Sequence, residues 1–149
     1  AGWGPDENVR LSRVLKSRGV DVIDCSSGGI RGAPVVSAGP VGYGYQVPYA
    51  EKLKKEALIQ TMAVGLIVHA DQAEEILQSG RADLIAIARE AMQNPNWPLD
   101  AAQKLNASAP YALMPSPYEY WLEKRARQVK TLIPSTHTDG INLKSSDKN

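Results

Sequence analysis

The chain reads as an α/β protein of alternating helices and parallel strands, and three observations predict it. Apolar runs of strand length lie at Asp21–Cys25, Thr61–Val64 and Leu84–Ala88, each too short to span a membrane. Stretches with apolar residues at helical spacing precede them, which is the order of a parallel sheet crossed by helices. Each run also finishes in small or basic residues: Ser26 Ser27 Gly28 Gly29, then Gly65, then Arg89. Backbone that approaches a ligand at the carboxyl ends of parallel strands needs such residues.

With 149 residues there is length for one domain, and 43% hydrophobic content is enough for a core. A net charge of +1 gives no electrostatic reason to expect nucleic acid or an anionic membrane as partner, so a small molecule is the expected ligand. The single cysteine, Cys25, excludes a disulfide framework and favours a reducing compartment. As a thiol inside an apolar strand with no His nearby in sequence, it reads as inert. Without a signal peptide or a run of about 20 apolar residues, the expectation is a soluble, cytoplasmic protein. The first residue is Ala, so the amino terminus is expected to be processed or the chain to be part of something longer.

Gly2 Trp3 Gly4 Pro5 makes a turn, and Asp6 caps or opens a helix to about Arg18 with Val9, Leu11, Val14 and Leu15 as its apolar face. Gly19 stops it and the first strand follows directly. From Gly28 to Gly44 the sequence is rich in Gly and Pro without a period, and is expected to be a long ligand-contacting loop. A dinucleotide fingerprint is rejected there, because its glycines must join a strand tightly to a helix.

A helix is expected over about Val47–Glu56, with Tyr49, Leu53 and Ala57 inward and Glu51, Lys52, Lys54 and Lys55 solvated. After the second strand, Asp71 is expected to cap a helix over Gln72–Ser79 that buries Ala73, Ile76 and Leu77. His69 is weighed as an acid or base and read instead as a helix-start residue at the rim, since no carboxylate or second His accompanies it. The third run, Leu84 to Ala88, is expected to be a buried strand turning straight into a helix at Arg89. There a guanidinium and free N–H groups can converge on a phosphate; the other reading is an ion pair with a neighbouring Asp or Glu. A helix to about Gln93 is broken by Asn94 Pro95 and resumes over Trp97–Leu105. Tyr111–Tyr120 is aromatic and punctuated by Pro, Glu123–Lys130 suggests a short basic helix, and Pro134–Asn149 reads as a disordered polar tail.

Five blocks in order, GWGPDENVRLSRVLKSRGVDVIDCSSGG, GPVGYGYQVPYAEKLKKEA, AVGLI, DQAEEILQSGRADLIAIARE and NPNWPLDAAQKL, resemble the old yellow enzymes. These are FMN-dependent ene reductases built on a TIM barrel, and the likeness is to their thermophilic-like branch and to its carboxyl-terminal part. It implies the last three βα units of a (β/α)8 barrel over residues 1–108, a carboxyl-terminal extension over 109–133 and the tail over 134–149. A whole barrel has eight units in about 250 residues.

The resemblance further implies FMN as cofactor and NAD(P)H as reductant, with hydride passed to an activated alkene. Ser27 and Gly28 match the pair beside the flavin phosphate and ribityl chain. Gly65 matches the phosphate-approaching glycine, and Ala88 and Arg89 stand where the family usually has Gly-Arg. Arg89 is thereby the expected phosphate ligand. The family's substrate-binding His pair, proton-donating Tyr, flavin-tuning Cys or Thr and active-site Gln belong to earlier strands, and His69 and His137 do not match them. Pro117 Tyr118 Glu119 Tyr120 is similar to a motif that precedes an Arg offered to a neighbouring subunit, but the aligned position is Leu122, with Arg125 and Arg127 beyond it and no role assigned. The chain is therefore expected to act within a flavoenzyme completed by an amino-terminal barrel half or by self-association. Two alternatives stay open: a catalytically silent partial barrel serving interaction or regulation, and a phosphate-binding barrel of another chemistry.

Overall fold

A computed structural model describes residues 3–28 and 41–130. Most of the expected Gly- and Pro-rich loop and all of the expected polar tail lie outside those residues. By their internal contacts the residues divide into two compact units, the first ending at Ser108 and the second starting at Ala109.

The first unit contains helix α1 (Pro5–Ser17), strand β1 (Val22–Cys25), α2 (Val47–Ala57), β2 (Gln60–Ala63), α3 (Ala70–Gln78), β3 (Leu84–Ile85), α4 (Arg89–Gln93) and α5 (Trp97–Lys104). The strands form one parallel sheet in the order β1-β2-β3. Val22 pairs with Gln60 and Cys25 with Ala63, while Met62 and Ala63 pair with Leu84 and Ile85. The α/β reading and its three parallel strands therefore hold.

Proline explains several helix starts. Pro5, Pro48 and Pro98 each occupy one of the first two helical positions, where a missing N–H costs nothing and the fixed φ suits the helix. Gly4 rather than Asp6 is the cap of α1, and the Glu7 carboxylate accepts the Gly4 N–H at 2.9 Å. Asp6 is a first-turn acid, paired with Lys52 of α2 at 3.0 Å. The far end of α2 is closed by α1: Arg13 donates to the Glu56 carbonyl at 2.8 Å, and Lys16 to the carbonyl of Leu58, which adopts a left-handed φ of 54°.

The core gathers where α2 and α3 lie against the sheet, with Val47, Ala50, Leu53, Ile59, Ala63 and Ile76 buried. Along β2, Thr61 and Ala63 are buried while Gln60 is exposed and Met62 half-buried, the alternation of a strand covered on one face. On α1 the core contact is Val9 and Ser12; Leu11 and Val14, expected inward, are exposed. On α2, Tyr49 is likewise exposed, and the buried register runs through Val47, Ala50, Leu53 and Ala57 instead. Its charged residues are more than a solvated face. Glu51 accepts from Lys55 at 2.5 Å and from Arg81 at 3.2 Å, which holds its carboxyl below the usual range.

Two further expectations are corrected. His69, not Asp71, is the cap of α3, where the Gln72 carboxamide oxygen accepts the Val68 N–H at 3.0 Å. Asp71 sits in the first turn, paired with Lys104 of α5 at 2.8 Å. The third strand, expected buried over five residues, has two, and Leu84 is 44% exposed. It is an edge strand among the described residues, paired with β2 alone and touched by α3. One more ladder bond, Ala86 N–H to Ala63 O at 2.8 Å, follows before the chain turns away.

In the second unit, a 3-10 turn (Pro110–Leu113) precedes α6 (Ser116–Val129). The expected irregular segment through Tyr120 is therefore helical from Ser116, because Pro117 stands in a first turn rather than interrupting one. Arg127 lies 3.9 Å from Glu123 on the same helix.

Candidate functional site

The carboxyl ends of the strands carry the expected site residues, and the structure sorts them into two cavities. Gly65, Ala88 and Arg89 line one of about 130 Å³, together with Tyr45, Gln46, Leu66 to Val68 and Glu90. Ser27 lines a larger one of about 280 Å³ between the end of β1 and α1. Gly28, at φ +86°, borders neither among the described residues.

The smaller cavity is made by an unusual turn. Gly65 has φ +113° and Leu66 φ +51°, so two successive residues hold left-handed torsions, and a non-glycine residue is strained there. The Leu66 carbonyl fixes the turn by accepting from Gly44 N–H at 3.2 Å and from Gln72 Nε2 at 3.0 Å. Trp97 of α5 supports the chain two residues further on, donating its indole N–H to the Val68 carbonyl at 2.8 Å. Among the described residues the Gly65 and Leu66 N–H groups have no acceptor, which leaves two backbone donors at the cavity wall.

Glycine at position 65 has a packing cause as well. A Cβ there would stand 3.0 Å from both Gln46 Nε2 and Tyr45 Cε1. Close approach of a ligand and close approach of Gln46 make the same demand.

Arg89 is exposed and lines the same cavity. Among the described residues Arg81 pairs with Glu51 and Glu75 and Arg127 with Glu123, but Arg89 has no carboxylate or carbonyl partner. Among the described residues the ion-pair reading of Arg89 is thus not realised. Its neighbour Glu90 also lines the cavity and is the acidic side chain closest in sequence. The helix that begins at Arg89 has only five residues, so its backbone dipole adds little to the guanidinium.

Between the two cavities stands a residue that sequence reasoning missed. Gln46 is 4% exposed, and its Oε1 accepts from both the N–H and the Oγ of Ser27, at 2.5 and 2.9 Å. Both donors of Ser27 are used in this way. What Ser27 still offers is acceptor capacity, which suits a ligand hydroxyl better than a phosphate. The available signal was position: Gln46 caps α2, a place that favours Ser, Thr, Asp or Asn, so a glutamine there needs another reason.

Other candidates fall outside. The Cys25 thiol is buried, and burial followed by the charge of Asp24 pushes it up to about 11, so it stays protonated at neutral pH. His69 meets Tyr43 edge-on at 5.4 Å and borders the Trp97 and Lys104 side of α3 and α5, away from Arg89. Leu122, Arg125 and Arg127 belong to the second unit. Among the described residues no cluster of three or more His, Cys, Asp and Glu could hold a metal, and no helix is long and apolar enough to cross a membrane.

Comparison with known proteins is consistent with this layout. Residues 6–108 match the family model described as NADH:flavin oxidoreductase / NADH oxidase family. An NADPH dehydrogenase of Halalkalibacterium halodurans is 52% identical over 100 residues, which are 67% of this chain and 28% of that protein. The NADPH dehydrogenase of Geobacillus sp. strain WCH70 is 49% identical over 100 residues, again 67% and 28%. That of Bacillus subtilis strain 168 is 42% identical over 114 residues, 76% of this chain and 31% of that protein. The chain thus spans under a third of the length of these relatives.

Proposed function

Because this chain belongs to the NADH:flavin oxidoreductase / NADH oxidase family, we propose that it forms the phosphate end of an FMN site in an NAD(P)H-dependent oxidoreductase. The observation that carries the reading is Arg89: a guanidinium without an ion-pair partner among the described residues, lining a small cavity together with Gly65 and Leu66, whose N–H groups have no acceptor there. A cation and two backbone donors around a compact space are the chemistry of a phosphate site. The fit is to that end of the cofactor alone. About 130 Å³ takes a phosphate group and excludes a three-ring system, which lies outside the cavity in this reading.

Each expected residue receives a task. Arg89 neutralises and orients the phosphate through charge-assisted hydrogen bonds. Gly65 lets backbone and Gln46 approach. Ala88 sets the backbone from which Arg89 projects, its methyl standing where relatives usually have none. Ser27, with both donors committed, accepts from a ribityl hydroxyl, and Gly28 supplies the positive φ of 86° beside that contact. When bound, FMN would supply the hydride chemistry between NAD(P)H and an activated alkene, while the protein binds and orients. The three parallel strands are read as the last three of a (β/α)8 barrel over residues 1–108, with residues 109–133 as an extension. Substrate binding falls to elements beyond these three units, supplied by an amino-terminal half or another copy. The catalytically silent alternative shares the fold but requires no flavin.

FMN titration of the purified chain, followed by quenching of flavin fluorescence, tests the proposal. Saturable binding is expected, and Arg89→Ala should weaken it by roughly 1.5 to 3 kcal/mol, the worth of a hydrogen bond to a charged group. Binding that is indifferent to Arg89→Ala would return Arg89 to a surface role and sink the assignment.

A further inference from the structure

Gln46 has one half of its carboxamide fully used and the other half unused. Its oxygen must be the atom facing Ser27, because the Ser27 backbone N–H can only donate. The NH2 group is thereby fixed on the opposite side, next to Gly65, at the wall of the cavity that Arg89 also lines. Among the described residues this NH2 has no acceptor, although the residue is 4% exposed. The nitrogen is not enclosed, since Thr61 Oγ1 is the one enclosed side-chain atom without a partner among the described residues. The Gln46 nitrogen opens onto the cavity, where water or a ligand can accept from it. The cavity supplies the place for that acceptor, and the cation lining it selects an anion.

We propose that Gln46 is an anion-binding residue of this chain, a neutral donor that contacts a phosphate oxygen beside Arg89 while its own orientation is fixed by Ser27. The proposal rests on the FMN phosphate reading above and adds to it a ligand and a coupling. Ser27 at the end of β1 and the phosphate beside Gly65 after β2 are joined through one carboxamide. A ligand that accepts from Gln46 Nε2 polarises the amide and strengthens the hydrogen bonds its oxygen receives from Ser27. Phosphate binding therefore orders the Ser27 end of β1, where the hydroxyl-bearing part of the same ligand would lie. The geometry also accounts for the tight glycine: any side chain at position 65 would push Gln46 Nε2 from the wall.

The test compares FMN with riboflavin, which lacks the phosphate, on the full 149-residue chain and on variants checked for folding by circular dichroism. The wild-type chain should prefer FMN, and Gln46→Met should reduce that preference by about ten- to a hundredfold, riboflavin affinity falling less because only the loosened Ser27 contact is lost to it. A purely structural role for Gln46 would lower both affinities by the same factor and overturn the proposal. Gln46→Glu is the second variant, read if the Met variant fails to fold. Its carboxylate can still accept from Ser27 but repels phosphate, and the same selective loss is expected. If Arg89→Ala reduces the FMN preference and neither Gln46 variant does, the inference about Gln46 fails alone. If the wild-type chain binds FMN no better than riboflavin, the phosphate reading itself fails and this inference with it.

Discussion

The β1–β2 side of the sheet and the β3 edge follow opposite rules. On the first, four ladder pairs join two strands under α2 and the buried apolar residues form a continuous cluster. At the end of that side even a polar residue, Ser27, has both donors answered within the protein. At the β3 edge there are two ladder pairs, Leu84 is exposed, and Arg89 and the N–H groups of Gly65 and Leu66 have no acceptors among the described residues. Stability is concentrated on one side and unspent hydrogen-bonding capacity on the other. A ligand site is expected where the second condition holds and the first is near enough to keep it rigid.

The sharpest way to break that contrast is a pair of truncations. Leu53 of α2 is 6% exposed within the cluster on the β1–β2 side, and Leu53→Ala should destabilise the chain by about 2 to 5 kcal/mol. Leu84→Ala, at a residue 44% exposed on the edge, should stay within about 1 kcal/mol. Urea midpoints of the two variants measure the difference. Equal losses would mean that the edge strand is as much a part of the core as β2, and the division drawn here would be wrong.

Next in size is a comparison between two glycines. Both Gly65 and Gly80 have positive φ, +113° and +71°, but a Cβ at Gly80 would meet nothing within 4 Å whereas one at Gly65 meets Gln46 and Tyr45 at 3.0 Å. Gly80→Ala should cost about 1 kcal/mol from backbone strain alone. Gly65→Ala should cost roughly 1 to 3 kcal/mol more, from displacing packed neighbours. Thermal midpoints of the two read the excess, which combines the displacement of Gln46 and Tyr45 with the greater strain of φ +113°. No excess would mean that both Gln46 and Tyr45 give way freely and that Gln46 is not held as described.

A smaller effect lies within the apolar side itself. Thr61 is fully buried, and its Oγ1 has no partner among the described residues, the one such side-chain atom there. Thr61→Val removes the hydroxyl and keeps the shape, so it should raise stability by up to about 1 kcal/mol. A loss instead would show that a hydrogen bond is made to that hydroxyl.

Much of this was legible in the sequence for a physical reason. Helical spacing and apolar runs marked every element of the first unit, since local patterns decide helix and strand wherever one face is buried. Gly65 and Arg89 were visible because each is an unusual choice at a strand end. What the sequence hid was the outcome of tertiary contacts. Leu84 to Ala88 has the composition of a buried strand, but burial depends on neighbours on both sides, and the run itself cannot report them. Leu11, Val14 and Tyr49 have the right spacing for an inner face and turn outward for the same reason. In the second unit, Pro117 looked like punctuation where it is a helix start. Gln46 was hidden because its role is a relation between Ser27 and Gly65, 19 residues before it and 19 after, and neither partner's identity demands a glutamine between them.

The smallest effect concerns how the weak edge is held at all. Asp83 opens β3 and reaches in two directions: one carboxylate oxygen accepts the Thr61 N–H of β2 at 2.9 Å, the other meets Lys54 of α2 at 3.0 Å. Burial pushes this carboxyl up, but the Thr61 N–H and Lys54 together bring it below its ordinary value of 3.8. A carboxyl lowered by folding stabilises the folded state at pH above that ordinary value. The contribution fades as pH falls through the lower folded value, when the native state too takes up the proton. Since the pair is partly solvated, its worth at neutral pH should be at most about 1 kcal/mol. Asp83→Asn should therefore lower the urea midpoint slightly at pH 7 and leave it equal to wild type well below pH 3.8. The same difference at both pH values would show that the amide is simply a poorer fit than the acid. In that case the edge would depend on shape at this position rather than on charge.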